Sequence, residues 1–277
     1  MLKVPGSIVS VDWLFSNIDN PNLILFDGTI QKVTDKDSAS KTTSYIKNAQ
    51  FFDIKKEFSL VEAPFPNTMI SAEEFQYKVR KLGVTNTSCI VVYDRYGYYS
   101  CARVWGMFRA MGFENIAVLD GGLPAWNDAG FPTQNTEKVP DSFGDFTSNF
   151  NSSMIHNHVP VLEAIDKPNI TIVDARGANR FYARVEEPRP GLRSGHIPNA
   201  KNIPYTSLLN GVKMKSKSEL QEIFSKVENE HLIFSCGSGI TACVLALGAD
   251  LAGVKRTSVY DGSWTEWGSL PELPIEK

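Results

Sequence analysis

Asp120-Gly121-Gly122, followed by Trp126, recurs 141 positions later as Asp261-Gly262-Ser263, followed by Trp267, and Gly112 recurs as Gly253 at the same interval. Upstream, LILFD at Leu23–Asp27 returns as ITIVD at Ile170–Asp174, an interval of 147, and Ile46-Lys47-Asn48-Ala49 returns as Ile197-Pro198-Asn199-Ala200, an interval of 151. Solenoid repeats have periods of roughly 20–50 residues, so a period this long marks a duplicated domain. The drift in the interval places length differences in the loops while the elements between them are kept. A chain of 277 residues holds two such domains comfortably.

Each half reads as alternating strand and helix. In the first, Leu23–Phe26 is a short apolar strand. A helix over 71–82 opens with a Ser71/Glu74 capping box and closes at Gly83, and 88–93 is a buried strand. A helix over 100–111, apolar at Cys101, Val104, Trp105 and Phe108, leads to a strand over 116–119. The second half repeats the order with strand 170–173, helix 218–227, strand 232–235, helix 241–252 and strand 257–260. Apolar strands alternating with helices imply an α/β fold, a mostly parallel sheet in each half flanked by helices on both faces. The polar, aperiodic stretch 133–156 reads as the connection. Domains are expected over 1–137 and 157–277, with a linker over 138–156.

Lys and Arg total 28 against 31 Asp and Glu, a net charge of −3. Such a chain has no general attraction for nucleic-acid backbones or anionic membranes, so neither is an expected partner. No apolar run approaches the 18 or so residues of a membrane span, and the N-terminal MLKVPGSIVS, broken at Pro5 and Gly6, does not pattern as a signal peptide. A cytoplasmic location is expected. The four cysteines are too sparse for a disulfide framework and lack the paired spacing of a zinc site, so no metal or other cofactor is expected. Cys89, Cys101 and Cys243 lie in or beside apolar elements and read as core packing.

Cys236 differs. The strand ending at Ser235 runs straight into Cys236-Gly237-Ser238-Gly239-Ile240-Thr241 and then into a helix. This places the thiol at the carboxyl edge of the sheet, where open α/β sheets bind ligands. Gly237 and Gly239 let the backbone fold tightly around the sulfur. The amides of 237–241 can then converge as an anion-binding nest, reinforced by the positive end of the helix dipole. Such a nest suits a thiolate or an anionic persulfide.

The chain resembles the tandem-domain rhodaneses, or sulfurtransferases, over nearly its whole length. The resemblance rests on VVYD (91–94), ARVWGMFRAMGF (102–113), LDGGLPAW (119–126), VDAR (173–176), SGHIPNA (194–200), the CGSGIT loop and YDGSWTEW (260–267). It implies two tandem rhodanese-like domains, the second carrying the active cysteine at Cys236. The corresponding first-half loop, Asp94–Ser100, has no cysteine, which makes the first domain catalytically silent. Thiosulfate-specific members look like C-R-K-G-V-T, whereas the uncharged loop here resembles the C-G-S/T-G-V-T of 3-mercaptopyruvate sulfurtransferases, with Ile240 for Val. The substrate-binding arginines of the family then correspond to Arg180, in Asn179-Arg180-Phe181, and Arg189, in Glu187-Pro188-Arg189, with Arg184 and Arg193 as alternatives to the latter. A guanidinium fork suits a keto-acid carboxylate. Related enzymes carry a His-Ile-Pro-Gly-like segment in the first domain, for which a relay through the loop serine has been suggested. Here that segment is Tyr45-Ile46-Lys47-Asn48, without the histidine. His196 reads as structural, and His156, His158 and His231 have no ligand or relay spacing.

The implied chemistry is attack by Cys236 on the sulfur of 3-mercaptopyruvate, release of pyruvate, and transfer of the sulfur to a thiol such as thioredoxin or to cyanide. Gly237, Ser238, Gly239, Ile240 and Thr241 form the binding loop. Competing readings are a thiosulfate:cyanide sulfurtransferase and a non-catalytic sulfur-carrier module. A phosphatase needs C-x5-R, and the residue six beyond Cys236 is Ala242.

Overall fold

The strand segments LILFD and CIVVY are apolar on both of their alternating faces, so each must be covered on two sides, which a lone hairpin or one-sided sheet cannot provide. The structure is a computed structural model that describes residues 1–32, 44–140, 142–227 and 229–277. Its chain divides into two units: 1–59, 69–150 and 211–214 form the first, and 60–68, 151–210 and 215–277 the second. Each unit thus takes in a short segment from the opposite half of the sequence.

The first unit contains strands β1 (Ile8–Val9), β2 (Leu23–Asp27), β3 (Ala49–Phe51), β4 (Cys89–Tyr93) and β5 (Ile116–Leu119). They lie in the order β1-β5-β4-β2-β3, all pairs parallel. Leu25, Val91, Tyr93, Ala117 and Leu119 pack on one face with Val11 and Leu14 of α1 (Val11–Asn17) and Trp126 of α4 (Gly122–Asp128). On the other face Phe26 joins an aromatic cluster of Phe52, Phe58, Phe75, Phe108, Phe113 and Phe146. Phe75 and Phe108 belong to α2 (Ala72–Lys81) and α3 (Cys101–Ala110).

The second unit contains β6 (Ile155–His156), β7 (Ile170–Asp174), β8 (Lys201–Asn202), β9 (His231–Ser235) and β10 (Thr257–Tyr260), ordered β8-β7-β9-β10-β6 and again parallel. Read from β6, this is the order of the first unit. Val161 and Ala164 of α5 (His158–Ala164) and Trp264 and Trp267 of α9 (Ser263–Trp267) cover one face with Ile172, Ile233 and Tyr260. On the other side α7 (Lys217–Ser225) and α8 (Ala242–Ala252) pack together, with Phe224 of α7 against Phe234 of β9. The short α6 (Ala178–Phe181) follows β7.

Elements expected from the sequence end within about two residues of those observed; the Ser71 hydroxyl caps α2, and a full capping box, Ser216 with Glu219, opens α7. The stretch read as connection contains more structure than expected. Ile155–His156 pairs with Val259–Tyr260 as an edge strand, and Thr133–Gln134 pairs antiparallel with Tyr45–Ile46. Two-residue strands carry no detectable periodicity, so only the partner strand reveals them. Residue 141, within that stretch, lies outside the described residues. Among the described residues no helix is long and apolar enough to cross a membrane.

Candidate active site

β9 is the central strand of its sheet, flanked by β7 and β10, and Cys236 follows its last residue. Cys236 is buried rather than displayed on the surface: the residue is 1% exposed. The Ser263 hydroxyl accepts the amides of Cys236 and Gly239, each at 3.1 Å, and donates to the Tyr260 carbonyl at 2.8 Å; its oxygen lies 3.9 Å from the Cys236 sulfur. The carbonyl of Cys236 accepts from Trp264 N at 3.0 Å, and that of Gly237 accepts both the amide and the hydroxyl of Thr265. The backbone around the thiol is therefore tied to the start of α9. The amides of Ile240, Thr241 and Ala242, at the N-terminus of α8, donate to no other group among the described residues.

The duplicate loop in the first unit shows what such amides hold. Asp94 follows β4 as Cys236 follows β9, and its carbonyl accepts from Leu123 N as that of Cys236 accepts from Trp264 N. The Asp94 carboxylate accepts the amides of Tyr99, Ser100 and Cys101 through Oδ2, at 2.7, 2.7 and 3.0 Å, and that of Tyr96 through Oδ1 at 2.8 Å. Four amides converging on one carboxylate at a helix N-terminus form an anion nest.

Ser263 has φ +49, in the left-handed region, where the first unit has Gly122 at φ +55. At Gly122 a Cβ would stand 2.4 Å from the Asp94 carbonyl oxygen, so the first unit admits no side chain there. A buried serine kept at a costly φ marks a functional constraint.

Arg180 and Arg189 both reach the loop. A Cβ at Gly237 would stand 3.3 Å from Arg180 Nη2 and 3.8 Å from Arg189 Nη1. Arg180 is held by Glu187, to which it donates through Nε at 3.1 Å and also through Nη2. Glu187 Oε1, which accepts Arg180 Nε, also accepts Arg176 Nη1 at 2.9 Å. Arg176 also pairs with Asp174 and lies over the Trp264 ring. The Arg176 and Glu187 side chains are each 1% exposed. Burial alone would lower the Arg176 pKa, but the charges of Asp174 and Glu187 outweigh it and raise it. Arg189 donates to Ser238 Oγ at 3.3 Å and Thr265 Oγ1 at 3.4 Å.

Of the alternatives to Arg189, Arg193 is spent on the carbonyls of Trp267, Gly268, Leu270 and Leu273, and Arg184 lies over the Tyr182 ring. Asn67 Nδ2 donates to Ser238 Oγ at 2.9 Å and to the Ser238 carbonyl at 3.2 Å. Tyr45 pairs in the first unit, its ring beneath Arg95. His196 stacks on Phe181 with Nδ1 at 3.0 Å from the Phe181 carbonyl. Asn67, Glu187, Ser263 and Thr265 escaped the sequence reading. For Ser263 a signal existed, the Gly122-to-Ser263 change within the repeat. Burial pushes the Cys89 thiol up to about 11, and burial together with the Asp94 charge raises that of Cys101.

Comparison with known proteins identifies the family. The rhodanese-like domain model matches twice, at residues 10–129 and 159–270. The 3-mercaptopyruvate sulfurtransferase of Escherichia coli K12 is 36% identical over 275 residues, covering 97% of each chain. The mitochondrial thiosulfate/3-mercaptopyruvate sulfurtransferase 1 of Arabidopsis thaliana is 33% identical over 295 residues, covering 97% of this chain and 78% of that one. The crystal structure of the 3-mercaptopyruvate sulfurtransferase SseA from Escherichia coli superimposes with a TM-score of 0.83 at 33% identity, covering 94% of this chain and 99% of that one. With two copies of the domain and near-complete coverage by its relatives, the chain belongs to the rhodanese family.

Proposed function

We propose that the protein is a 3-mercaptopyruvate sulfurtransferase working through a persulfide on Cys236. The observation that carries this reading is the pairing of the two loops. One holds a carboxylate in its amide nest; in the other the amides of Ile240, Thr241 and Ala242 donate to no group among the described residues, and two guanidinium groups lie beside Gly237.

Arg189 and Arg180 bind the donor carboxylate, and the uncharged Gly237-Ser238 pair leaves room for an organic chain. The Cys236 thiolate attacks the donor thiol sulfur. A sulfur–sulfur bond forms and the carbon–sulfur bond breaks, its electron pair passing into the adjacent carbonyl to give the enolate of pyruvate. The transferred sulfur is oxidised to the sulfane level and the carbon it leaves is reduced. The proton carried by the donor thiol then moves from the new persulfide to the enolate carbon, so pyruvate departs and an anionic persulfide stays behind. The amides of Ile240, Thr241 and Ala242 stabilise that anion. A thiol acceptor such as thioredoxin, or cyanide, removes the outer sulfur and regenerates the thiolate, giving double-displacement kinetics. The first unit, with Asp94 in place of a cysteine, carries no sulfur in this scheme, and the reaction takes place in the cytoplasm.

Intact-mass measurement after treatment with 3-mercaptopyruvate tests the reading. The expected result is a gain of one sulfur atom on Cys236 with release of one pyruvate, and neither in Cys236→Ser. An unmodified Cys236, or undiminished turnover in Cys236→Ser, overturns it.

A further inference from the structure

A hydroxyl with two donors aimed at its oxygen has its own hydrogen left for a third group, and this is the situation of Ser238. Its Oγ accepts Asn67 Nδ2 at 2.9 Å and Arg189 Nη2 at 3.3 Å. The orientation of the Asn67 amide is settled by a second contact of the same atom. Nδ2 also lies 3.2 Å from the Ser238 carbonyl oxygen, which can only accept, so the atom facing Ser238 must be the amide nitrogen. Neither neighbour has a lone pair to take the serine hydrogen: a guanidinium carries none, and the Asn67 atom presented is a donor. The Ser238 hydrogen has no acceptor among the described residues.

We propose that Asn67 is a positioning residue that fixes Ser238 as a hydrogen-bond donor to the enolate oxygen formed as pyruvate leaves. This rests on the functional reading above and adds the means by which the leaving group is stabilised. Ser238 stays a neutral hydroxyl throughout and loses no proton; it stabilises charge that develops on the donor's carbonyl oxygen. Asn67 is buried, at φ +65, a left-handed conformation that asparagine and aspartate tolerate better than alanine. Its place in the second unit comes from residues 60–68, which are included there.

The test separates the two half-reactions and uses the full chain. Single-turnover pyruvate release from 3-mercaptopyruvate reads the step in which the enolate forms. Discharge of the preloaded persulfide to dithiothreitol reads the step in which it does not. Ser238→Ala is expected to slow pyruvate release roughly 100-fold, the scale of a lost oxyanion donor. Asn67→Ala slows it roughly tenfold, with the loss in kcat rather than KM and not in discharge. The double variant is no slower than Ser238→Ala, because Asn67 acts only through that hydroxyl. Asn67→Asp keeps the backbone conformation and supplies the pH signature. Ionised, it accepts the Ser238 hydrogen and turns it away, so release is slow at neutral pH; protonated, it donates again, and the rate recovers toward wild type as pH falls. Additive losses in the double variant, equal slowing of both half-reactions, or an Asn67→Asp profile parallel to wild type would each overturn the role. Those results, with a normal persulfide on wild-type Cys236, leave the functional reading standing; a wild type that forms no persulfide removes both.

Discussion

Ser263→Gly is the perturbation whose outcome the geometry fixes most tightly, because two opposed terms can be weighed. The serine hydroxyl serves as acceptor for the buried amides of Cys236 and Gly239 and as donor to the Tyr260 carbonyl. Removing an acceptor from a buried amide costs about 1–3 kcal/mol, so losing two is a penalty of about 3 kcal/mol. Against this, a φ of +49 strains serine by about 1 kcal/mol and glycine not at all. Ser263→Gly should therefore lose about 2 kcal/mol. Ser263→Ala, which gives up the hydrogen bonds and keeps the strain, should lose about 3 kcal/mol. The ranking is wild type, then glycine, then alanine, the reverse of the usual preference for alanine over glycine at a helix start. In a thermal unfolding scan these losses lower the midpoint of the second unit's transition by roughly 6 and 9 °C, taking roughly 3 °C per kcal/mol. Both variants should also load Cys236 more slowly, since its amide is released. An alanine variant at least as stable as the glycine variant, or a glycine variant as stable as wild type, would refute the reasoning.

Arg189→Ala should raise KM for 3-mercaptopyruvate about 10- to 100-fold, the worth of a charge-assisted hydrogen bond to a carboxylate, with a smaller change in kcat in steady-state kinetics. Arg189→Lys should recover only part of it, because an ammonium cannot fork between a ligand and the Ser238 and Thr265 hydroxyls. Glu187→Gln leaves two guanidinium groups facing each other across a neutral amide. It should cost about 3 kcal/mol, visible as an earlier denaturation midpoint, and should loosen Arg180 enough to raise KM. Burial, aided by the charge of Arg256 and by His156, pushes His231 down to about 4, while its Nε2 stays 2.9 Å from the Ser258 hydroxyl. The unfolded chain takes up that proton near pH 6.5, before the folded one does. Stability should thus fall as pH drops from about 6.5 to about 4 and flatten below, and urea midpoints at a series of pH values should show a shallower fall in His231→Gln.

The strands and helices around the site were legible because burial on two faces demands continuous apolar runs, as in CIVVY and HLIFS, and because capping leaves marks at Ser71 and Ser216. Cys236 stood out since a glycine-rich turn between a buried strand and a helix has few other uses. Asn67 was not legible: it meets Ser238 across 171 positions, and nothing in APFPNTM distinguishes a buried donor from a surface turn. The Tyr45 segment drew attention instead because related enzymes carry a histidine there, which this chain lacks. Glu187 was read only as a neighbour of Arg189. Its role as the clamp of Arg180 depends on the loop after α6 folding back, which has no periodic trace.

The occupied nest at Asp94 has a corollary for how the two copies respond to turnover. A carboxylate grown from the chain itself never departs, so the amides of Tyr99, Ser100 and Cys101 face one unchanging charge. The loop at Cys236 must accommodate a sulfur that lengthens by one atom and shortens again in every cycle. Amide hydrogen exchange in the N-terminal copy should accordingly be indifferent to the donor, while that of Ile240–Ala242 tracks loading. The protein thus contains its own internal standard for the filled state.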